Sequence, residues 1–468
     1  MTKIKFGTDG WRAIIANDFT VANVARVAEG TALWLLKQSA SPEIVLGHDC
    51  RFAGELFCDT VAKVMCSMGV KTHLAKGFVS TPMISLGAVK LKQDIGIIIT
   101  ASHNPPEYNG FKLKGSYGGP LLPSLVTEIE NLIPETCSVA IDQLELSSFE
   151  AKGLLKYVDL ETMYCDHVKA NFDLDAIKKS GLHLAYDAMY GAGQNVMKRL
   201  LPELTFLHCD YNPSFMGQAP EPIHKNLTEF SNLIKNSGKI DSGLVTDGDA
   251  DRLGFYDGKG NFVDSHHIIL LLIHYLYKYK GQRGKVCIAF STTPKVVKLC
   301  KHYGIEIETV KIGFKYIAEI MIKEDVLLGG EESGGIAIKG HIPERDGIWM
   351  GLTLWEFMAK SGKTLNDLIE EVYEIVGRFS FERNDLHIKE EIKQRVLENC
   401  KAGRYTAFGP YKVARVEDLD GYKYFFENGD WLMIRASGTE PVLRTYAESG
   451  SKDAAFDILN KAKEILLN

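Results

Sequence analysis

Apolar strand-like segments alternate with amphipathic helical segments along most of the chain. Three stretches share one order: a strand, a polar turn, a helix, a second strand, and later a third strand that ends in an unusual polar loop. The first strands are predicted at 43–47, 183–186 and 285–290, and the helices after them at 55–68, 194–201 and 295–303. This weak internal repeat predicts three related α/β regions.

The later strand of each region leads into a loop rich in polar residues. These loops lie at 100–105, 247–252 and 330–335. Ligands of α/β sheets bind beyond the carboxyl ends of the strands, so the loops should line one shared cleft. From about residue 377 the pattern becomes strand-rich and ends in a helix predicted at 453–467. A smaller fourth domain is expected there, and it contains a fourth loop, 435–441.

Composition narrows the class of protein without identifying a chemistry. The 468 residues allow about three domains, and a content of 45% hydrophobic and 24% charged residues is typical of globular proteins. A net charge of -6 argues against a nucleic-acid partner, and the most apolar run, 268–273, is too short to span a bilayer. Nine cysteines without a C-x-x-C pair favour reduced thiols. We therefore expect a cytoplasmic protein without a membrane partner.

Three aspartates at alternate positions, Asp247, Asp249 and Asp251, follow a predicted strand. They could turn three hard oxygen ligands toward one divalent cation, and Mg²⁺ suits such a set. A calcium loop of the EF-hand type would need glycine and glutamate where Arg252 and Gly258 stand. An acidic surface turn is the alternative, but three carboxylates this close repel one another unless a cation offsets them.

Ser102 lies in a loop that Pro105 and Pro106 stiffen, with Lys112 a little further on. The pattern predicts a fixed, exposed hydroxyl, and a plain turn is the alternative. The adjacent His103 does not by itself indicate a serine hydrolase triad, because neighbours in sequence need not be hydrogen-bonded.

Two further loops suit a phosphorylated sugar. Glu331 and Ser333, between glycines, place acceptors and a hydroxyl where sugar hydroxyls could reach them, although such turns are more often structural. The loop that begins at Arg435 combines a guanidinium, hydroxyls and backbone amides, which suits a phosphate dianion, and Arg444 is near in sequence. Four further cations could also belong to a site, although such side chains are individually more often solvated or ion-paired. They are Arg12, Arg51, Lys311 and Lys315.

These four loops, in this order, resemble those of the α-D-phosphohexomutase family, of the phosphoglucomutase/phosphomannomutase type. Residues 100–112 are similar to the family's phosphoserine loop and 247–252 to its metal loop. The resemblance covers nearly the whole chain. It implies three related α/β domains with mixed sheets and a C-terminal TATA-binding-protein-like α+β domain around a central cleft. The expected domains are residues 1–140, 150–253, 254–372 and 377–468.

The resemblance also implies a reaction and roles for the residues. A phosphohexomutase would interconvert hexose 1-phosphate and hexose 6-phosphate through phosphoserine and a hexose 1,6-bisphosphate, with Mg²⁺ as cofactor. Ser102 and the aspartates Asp247, Asp249 and Asp251 would surround the metal. The residues implied in charge stabilisation or proton transfer are Arg12, Arg252, Lys112 and His103. Those implied in binding the sugar or its distal phosphate are Glu331, Ser333, Lys311, Arg435, Ser437, Gly438, Thr439 and Arg444.

One position departs from the family pattern. Many relatives have histidine directly after the Glu-x-Ser-Gly of the sugar-binding loop, residues 331–334 here, whereas this chain has Gly335 at that place, and His341 is a candidate to act in its stead. The stretch 340–347 favours glucose phosphate as substrate without excluding mannose phosphate. Three alternatives stay open. Two are members of the same family, a phosphoglucosamine mutase and a hexose-bisphosphate synthase. The third, from another reaction class, is a metal-dependent sugar phosphatase. A non-catalytic sugar-phosphate-binding protein would leave the serine and metal loops without a use, and the sequence does not indicate an oligomeric state.

Overall fold

The computed structural model describes residues 3–436 and 442–467. The chain divides into two compact units. The described residues up to Cys287, together with Gly313–Ile369, form the first unit. Ile288–Ile312, together with the described residues from Glu370 onward, form the second.

The first sheet is mixed and has six strands. They are β1 (Trp11–Ile14), β2 (Glu43–His48), β3 (Lys71–Ala75), β4 (Ile95–Ile99), β5 (Tyr108–Gly115) and β6 (Leu155–Val158). Their order in the sheet is β1-β5-β4-β2-β3-β6. Strand β2 pairs in parallel with β3 and β4, whereas β4 pairs with β5 in antiparallel orientation. All of β4 is buried, which explains its nearly continuous apolar sequence.

The second sheet repeats this arrangement with five strands. They are β7 (Leu184–Asp187), β8 (Thr205–Leu207), β9 (Ser242–Thr246), β10 (Leu253–Asp257) and β11 (Phe262–Val263), in the order β11-β10-β9-β7-β8. Strand β7 is parallel to β8 and β9, and β9 turns into the antiparallel β10. The predicted repeat is therefore confirmed for the first two regions.

The third region contains the strands β12 (Lys285–Ala289), β13 (Ile307–Val310), β14 (Val326–Gly330) and β15 (Ile336–Ile338). Here β14 pairs with β15 in antiparallel orientation. A polar loop thus joins an inner strand to an antiparallel neighbour at the same place in all three regions. This shared junction positions the candidate site.

The helices lie close to the ranges that periodicity predicts. The helix predicted at 55–68 is observed at Gly54–Ser67, and the one predicted at 295–303 matches its observed bounds. The helices are α1 (Val21–Gln38), α2 (Gly54–Ser67), α3 (Thr81–Lys90), α4 (Pro123–Glu130), α5 (Leu146–Ala151), α6 (Leu160–Asn171), α7 (Leu174–Lys179), α8 (Gln194–Leu200), α9 (Thr228–Ser237), α10 (Ser265–His274), α11 (Lys295–Tyr303), α12 (Phe314–Lys323), α13 (Gly347–Ser361), α14 (Leu365–Val376), α15 (Glu390–Lys401) and α16 (Lys452–Leu467).

An apolar core supports the first sheet from the side of α1 and α2. Phe19 stacks on Trp11 with ring centroids 4.8 Å apart and meets Phe57 of α2 edge to face at 4.7 Å. Such aromatic pairs add stabilisation beyond the burial of their area. Across the described ranges, every helix is too short or too polar to cross a lipid bilayer.

The second unit contains a six-stranded antiparallel sheet. Its strands are β16 (Ser380–His387), β17 (Ala407–Phe408), β18 (Tyr411–Glu417), β19 (Tyr422–Phe426), β20 (Trp431–Ala436) and β21 (Val442–Ser449), in the order β16-β21-β20-β19-β18-β17. Val396 of α15 and Leu459 of α16 are buried in one cluster with Leu443 of the sheet. The predicted change from alternating α/β to a strand-rich C-terminal region is confirmed.

Candidate active site

The three predicted loops of the first unit meet. Ser102 follows β4, and its Oγ donates a hydrogen bond of 2.8 Å to Asp247 Oδ2 in the loop after β9. Arg252 of that loop forms an isolated backbone bridge with Gly335, at the end of the loop between β14 and β15. The three loops are therefore neighbours in the fold, as the repeat predicts.

Ser102 is held in an unusual backbone conformation. Its φ of 51° lies in the left-handed region, and its backbone N–H donates to Thr100 Oγ1 at 2.9 Å. The whole residue is buried with 0% exposure, so the expectation of an exposed hydroxyl is wrong. The reason is the close approach of the metal loop, where a Cβ on Gly248 would lie 2.6 Å from the Ser102 carbonyl oxygen.

Arg51 organises the backbone of the loop that carries Ser102. Its guanidinium is buried and forms an ion pair with Asp49 at 3.5 Å. Asp49 in turn accepts a hydrogen bond of 2.5 Å from Thr100 Oγ1. The Arg51 guanidinium also donates to the backbone carbonyl oxygens of Ser102 at 2.6 Å, Asn104 at 2.6 Å, Pro105 at 2.9 Å and Tyr108 at 3.1 Å. One side chain thus fixes the path of the loop.

The carboxylates of Asp247, Asp249 and Asp251 converge as predicted. All three are buried, and ligand oxygens from the three lie within 4.8 Å of one another. Ala250, between two of them, has a φ of 57°, which tightens the loop. Asp249 Oδ1 and Asp251 Oδ1 are buried without a hydrogen-bond partner. Orphaned carboxylate oxygens are costly, so this donor set fits a hard cation such as Mg²⁺.

Asp247 and Asp249 differ in how readily they ionise. Burial, reinforced by repulsion from Asp249 and Asp251, raises the pKa of Asp247 well above its usual value. Burial also opposes ionisation of Asp249, but Lys112 and a hydrogen bond from Thr81 outweigh it and hold the pKa of Asp249 below its usual range. The carboxyl group of Asp247 is therefore harder to ionise than that of Asp249, and added positive charge would favour its ionised form.

Lys112 is the central cation of the site. Its Nζ lies 2.7 Å from Asp249 Oδ2, 3.2 Å from Asp251 Oδ2 and 2.9 Å from Asp9 Oδ2. Burial lowers the pKa of Lys112, but these carboxylates raise it further, so the net shift is upward. The ammonium group is consequently a fixed positive charge in this arrangement, and proton transfer by Lys112 would require it to leave these partners.

His103 lies beside Ser102 in the serine loop, and Arg12 and Arg252 lie close to that loop. His103 Nδ1 lies 3.3 Å from Ser102 Oγ, and burial together with the nearby cations holds the pKa of His103 well below its usual value. Arg12 Nη1 donates to Asn104 Oδ1 at 2.6 Å. Arg252 donates its backbone N–H to Asp247 Oδ1 at 3.0 Å. His103 is therefore neutral near pH 7, with cationic side chains close by.

Glu331 and Ser333 lie in the turn between β14 and β15. Glu331 is buried and accepts a hydrogen bond of 2.9 Å from the backbone N–H of Gly313, and Ser333 is half-buried. Burial, with a contribution from Glu332, raises the pKa of Glu331 to about 7. Both side chains lie in the turn that the metal loop touches through the Arg252–Gly335 bridge.

His341 has a crowded environment at the start of α13. Its ring stacks on Trp349 with centroids 3.8 Å apart, and its Nε2 lies 2.9 Å from Asp346 Oδ2. Its Nδ1 lies 3.3 Å from His167 Nε2. Asp346 also caps α13 through the backbone N–H of Trp349 and accepts from the Tyr164 hydroxyl. Both ring nitrogens of His341 are engaged, so catalytic use would require the ring to leave this cluster.

The remaining predicted residues belong to the second unit. Arg435 and Arg444 stand directly opposite each other on β20 and β21. Each has an acidic partner, Asp420 at 3.4 Å for Arg435 and Asp385 at 3.9 Å for Arg444. Lys311 is exposed. The predicted residues Ser437, Gly438 and Thr439 lie outside the described part of the chain.

Sequence reasoning missed several buried groups around the aspartates. Arg345 Nη2 lies 2.8 Å from Asp251 Oδ2 and also pairs with Asp9. Lys114 Nζ lies 2.7 Å from Glu344 Oε2. Asp9 and Lys114 fall in no periodic pattern or spaced motif, whereas Glu344 and Arg345 lie in the family-like stretch 340–347, which assigned these two side chains no role of their own.

Comparison with known families agrees with this geometry. The chain matches models of phosphoglucomutase/phosphomannomutase alpha/beta/alpha domain I over residues 3–139, domain II over 162–260 and domain III over 264–376. It matches the C-terminal domain model of the same family over residues 391–464. All four domain types occur in the order that the sequence predicts.

Individual relatives match over nearly the full chain. A phosphoglucomutase/phosphomannomutase of Thermococcus kodakarensis is 28% identical over 98% of both chains. A phosphoglucosamine mutase of Caldicellulosiruptor bescii is 30% identical over 95% of this chain and 94% of its own. The crystal structure of a putative phosphomannomutase from Thermus thermophilus is 33% identical, with a TM-score of 0.88 over 100% of both chains. The chain therefore belongs to the phosphoglucomutase/phosphomannomutase family of the α-D-phosphohexomutase superfamily.

Proposed function

We propose that this phosphohexomutase interconverts the 1-phosphate and 6-phosphate of glucose, with mannose phosphates as further substrates. Ser102 carries the phosphoryl group, and a hexose 1,6-bisphosphate is the intermediate. The observation that carries the proposal is the 2.8 Å hydrogen bond from Ser102 Oγ to Asp247, inside a buried cluster of three aspartates. A serine hydroxyl placed beside such a cluster is suited to phosphoryl transfer.

The family is magnesium-dependent, and Asp247, Asp249 and Asp251 are the residues that would hold the ion together with Ser102. Their fit rests on the unpartnered oxygens of Asp249 and Asp251 and on the upward-shifted pKa of Asp247. When bound, Mg²⁺ would supply charge stabilisation for the transferring group. The same positive charge would favour ionisation of Asp247.

In the forward step, the bond between phosphorus and Ser102 Oγ breaks as a bond forms to a free sugar hydroxyl oxygen. The proton lost by the hydroxyl ends on Ser102 Oγ, so the step is balanced without water. His103 is neutral and lies 3.3 Å from Ser102 Oγ, which suits it to relay this proton. The bisphosphate then reorients, and its other phosphoryl group returns to Ser102.

Positive charges around Ser102 suit the spread negative charge of the transferring group. The candidates are Arg12, which lies on β1 and donates to Asn104 of the serine loop, and Arg252 of the metal loop. Lys112 is better suited to be a fixed charge than a base, because three carboxylates hold its ammonium group. Its contribution would then be electrostatic positioning of Asp249 and Asp251.

The sugar and its non-reacting phosphate need separate partners. We assign the sugar hydroxyls to Glu331 and Ser333, on the loop that adjoins the metal loop. We assign the distal phosphate to Arg435 and Arg444, because their paired positions on neighbouring strands put two guanidinium groups close together, and two such groups could bind one phosphate dianion. The further residues that we assign to phosphate or substrate binding are Ser437, Gly438, Thr439 and Lys311.

The choice of hexose has a specific competitor. A relative at 30% identity is a phosphoglucosamine mutase, which would require the same serine and metal loops. Purified protein should therefore be assayed with the 1-phosphates of glucose, mannose and glucosamine, with release of inorganic phosphate followed in parallel. We expect the highest kcat/KM with glucose 1-phosphate. Highest activity with glucosamine 1-phosphate would overturn the substrate assignment but not the reaction class.

Phosphate release distinguishes a mutase from a phosphatase. A mutase should isomerise glucose 1-phosphate far faster than it releases phosphate, because a sugar hydroxyl and not water accepts the group from Ser102. The reverse ratio would contradict the proposed function. Arg199→Ala is a suitable control, since Arg199 forms a partly exposed ion pair with Glu161, donates to the Thr162 hydroxyl and lies outside the proposed site.

A further inference from the structure

Arg345 connects the segment before α13 to the metal loop. Its guanidinium is 3% exposed, and Nη2 lies 2.8 Å from Asp251 Oδ2 and also pairs with Asp9. The guanidinium lies over the ring of Phe314, 5.4 Å from its centroid. An arginine to which the sequence assigned no role thus reaches a proposed metal ligand and also contacts an aromatic ring.

Gly335 provides the space that this side chain occupies. A Cβ at position 335 would lie 2.5 Å from Arg345 Cδ and 3.1 Å from Arg345 Cγ. Carbon atoms do not approach that closely without displacement of one of them. The φ of Gly335 lies outside the left-handed region, so its backbone does not itself require glycine. The stem of Arg345 is therefore the main reason for glycine at this position.

Asp249 and Asp251, two of the proposed metal ligands, each have one carboxylate oxygen with hydrogen-bond partners and one without. Asp251 Oδ2 faces Arg345 and Lys112, and Asp249 Oδ2 faces Lys112 and Thr81, whose hydroxyl is 2.5 Å away. The Oδ1 atom of each aspartate has no hydrogen-bond partner. Cations and a hydroxyl thus hold one oxygen of each carboxylate, whereas the other oxygen accepts no hydrogen bond, and Arg252 Nε lies 3.9 Å from Asp251 Oδ1.

We propose that Arg345 is a positioning residue that orients Asp251 for Mg²⁺, and that Gly335 is its required packing partner. The inference rests on the metal site of the proposed function and adds two residues to it. Outer partners of ligating carboxylates fix their orientation, and their loss commonly weakens metal binding about 10- to 100-fold. The position at which many relatives have histidine is thereby assigned a packing role in this chain.

The test is a double-mutant cycle read out by Mg²⁺ binding to the full-length, dephosphorylated protein in isothermal titration calorimetry. We expect Arg345→Ala to weaken Mg²⁺ binding by about 10-fold or more. Gly335→Ala should weaken it by about 10-fold when Arg345 is present, because the new methyl group displaces the arginine stem. In the Arg345→Ala background, the same change at position 335 should alter the affinity less than about 2-fold, because the clash is gone.

Several outcomes would overturn the inference. Unchanged Mg²⁺ affinity in Arg345→Ala would exclude the positioning role, even if the melting temperature fell. Equal effects of Gly335→Ala in both backgrounds would exclude the packing link. Should Arg345→Ala fail to fold, Gly335→Ala alone still decides, since wild-type Mg²⁺ affinity in that variant contradicts the proposal. Arg199→Ala, which removes a 2.8 Å surface ion pair, should bind Mg²⁺ as the wild type does.

This experiment separates the inference from the proposed function. Binding is measured without sugar, so a protein that binds Mg²⁺ but does not isomerise hexose phosphates would overturn the function alone. Wild-type protein without measurable Mg²⁺ binding would overturn the metal site and the role of Arg345 together. A wild-type enzyme that is active, with Mg²⁺ binding insensitive to position 345, would overturn only the inference.

Discussion

Arg51→Lys tests whether the conformation of the serine loop depends on one guanidinium. Lysine retains the charge opposite Asp49 but has three donors on a single nitrogen. The guanidinium donates to four carbonyl oxygens from two nitrogens, so at least one of these oxygens must lose its partner. Hydrogen bonds to charged groups contribute about 1.5–3 kcal/mol each, which sets the expected loss of loop stability at about 2 kcal/mol or more.

The consequence for catalysis follows from the position of Ser102. Its left-handed backbone is maintained by contacts on both sides, the Arg51 bond to its carbonyl oxygen and the Thr100 hydroxyl that accepts from its N–H. A displacement of about 1 Å at a reacting group can reduce turnover by about 100-fold. We therefore expect kcat with saturating glucose 1-phosphate to fall by about 100-fold, with a smaller change in KM.

Two measurements check this prediction. Steady-state kinetics give kcat, and hydrogen–deuterium exchange of peptides covering 100–110 gives the stability of the loop, which should exchange faster in Arg51→Lys than in the wild type. Arg199→Lys is the matched control, because it makes the same substitution at a partly exposed pair with Glu161. Wild-type kcat together with wild-type exchange in the serine loop would refute the reasoning.

Three further substitutions address the remaining chemistry. Ser102→Ala should reduce mutase turnover to background and remove a phosphate-sized increment from the intact mass, and substantial turnover would contradict the covalent carrier. Asp249→Asn should weaken Mg²⁺ binding by at least about 10-fold, as measured by calorimetry, because a hard cation loses an anionic ligand; unchanged affinity would argue against the metal assignment. Glu331→Gln tests whether the ionisation of Glu331 affects the stability of the fold. Burial raises the pKa of Glu331 in the folded protein from 4.5 to about 7. Glu331 therefore stabilises the folded protein at low pH, and this contribution is lost as the pH rises through that interval. Metal-free wild-type protein should therefore lose stability relative to Glu331→Gln between pH 4.5 and about 7 in thermal unfolding, and parallel pH profiles would be the contrary result.

The sequence by itself determined the order of elements and the loops that carry the chemistry. Strand and helix periods are local, so the strand Glu43–His48 and the helix Lys295–Tyr303 could be recognised within about one residue of their bounds. The aspartates of residues 247–251 were identifiable because alternate carboxylates after a strand have few other uses. The family resemblance then linked the four loops to one reaction, and the family comparisons support it.

Only the tertiary structure decided how the charges of the site are distributed. Asp9, Lys112, Asp251 and Arg345 come from distant parts of the sequence, and no spacing rule connects them. Their contacts arise because the strand ends of separate sheets meet, which also buries Ser102 against expectation. Local sequence patterns encode periodicity and short motifs, whereas ion pairs across domains depend on how whole sheets pack. The partners of the aspartates, and therefore their pKa values, could be obtained only from the folded chain.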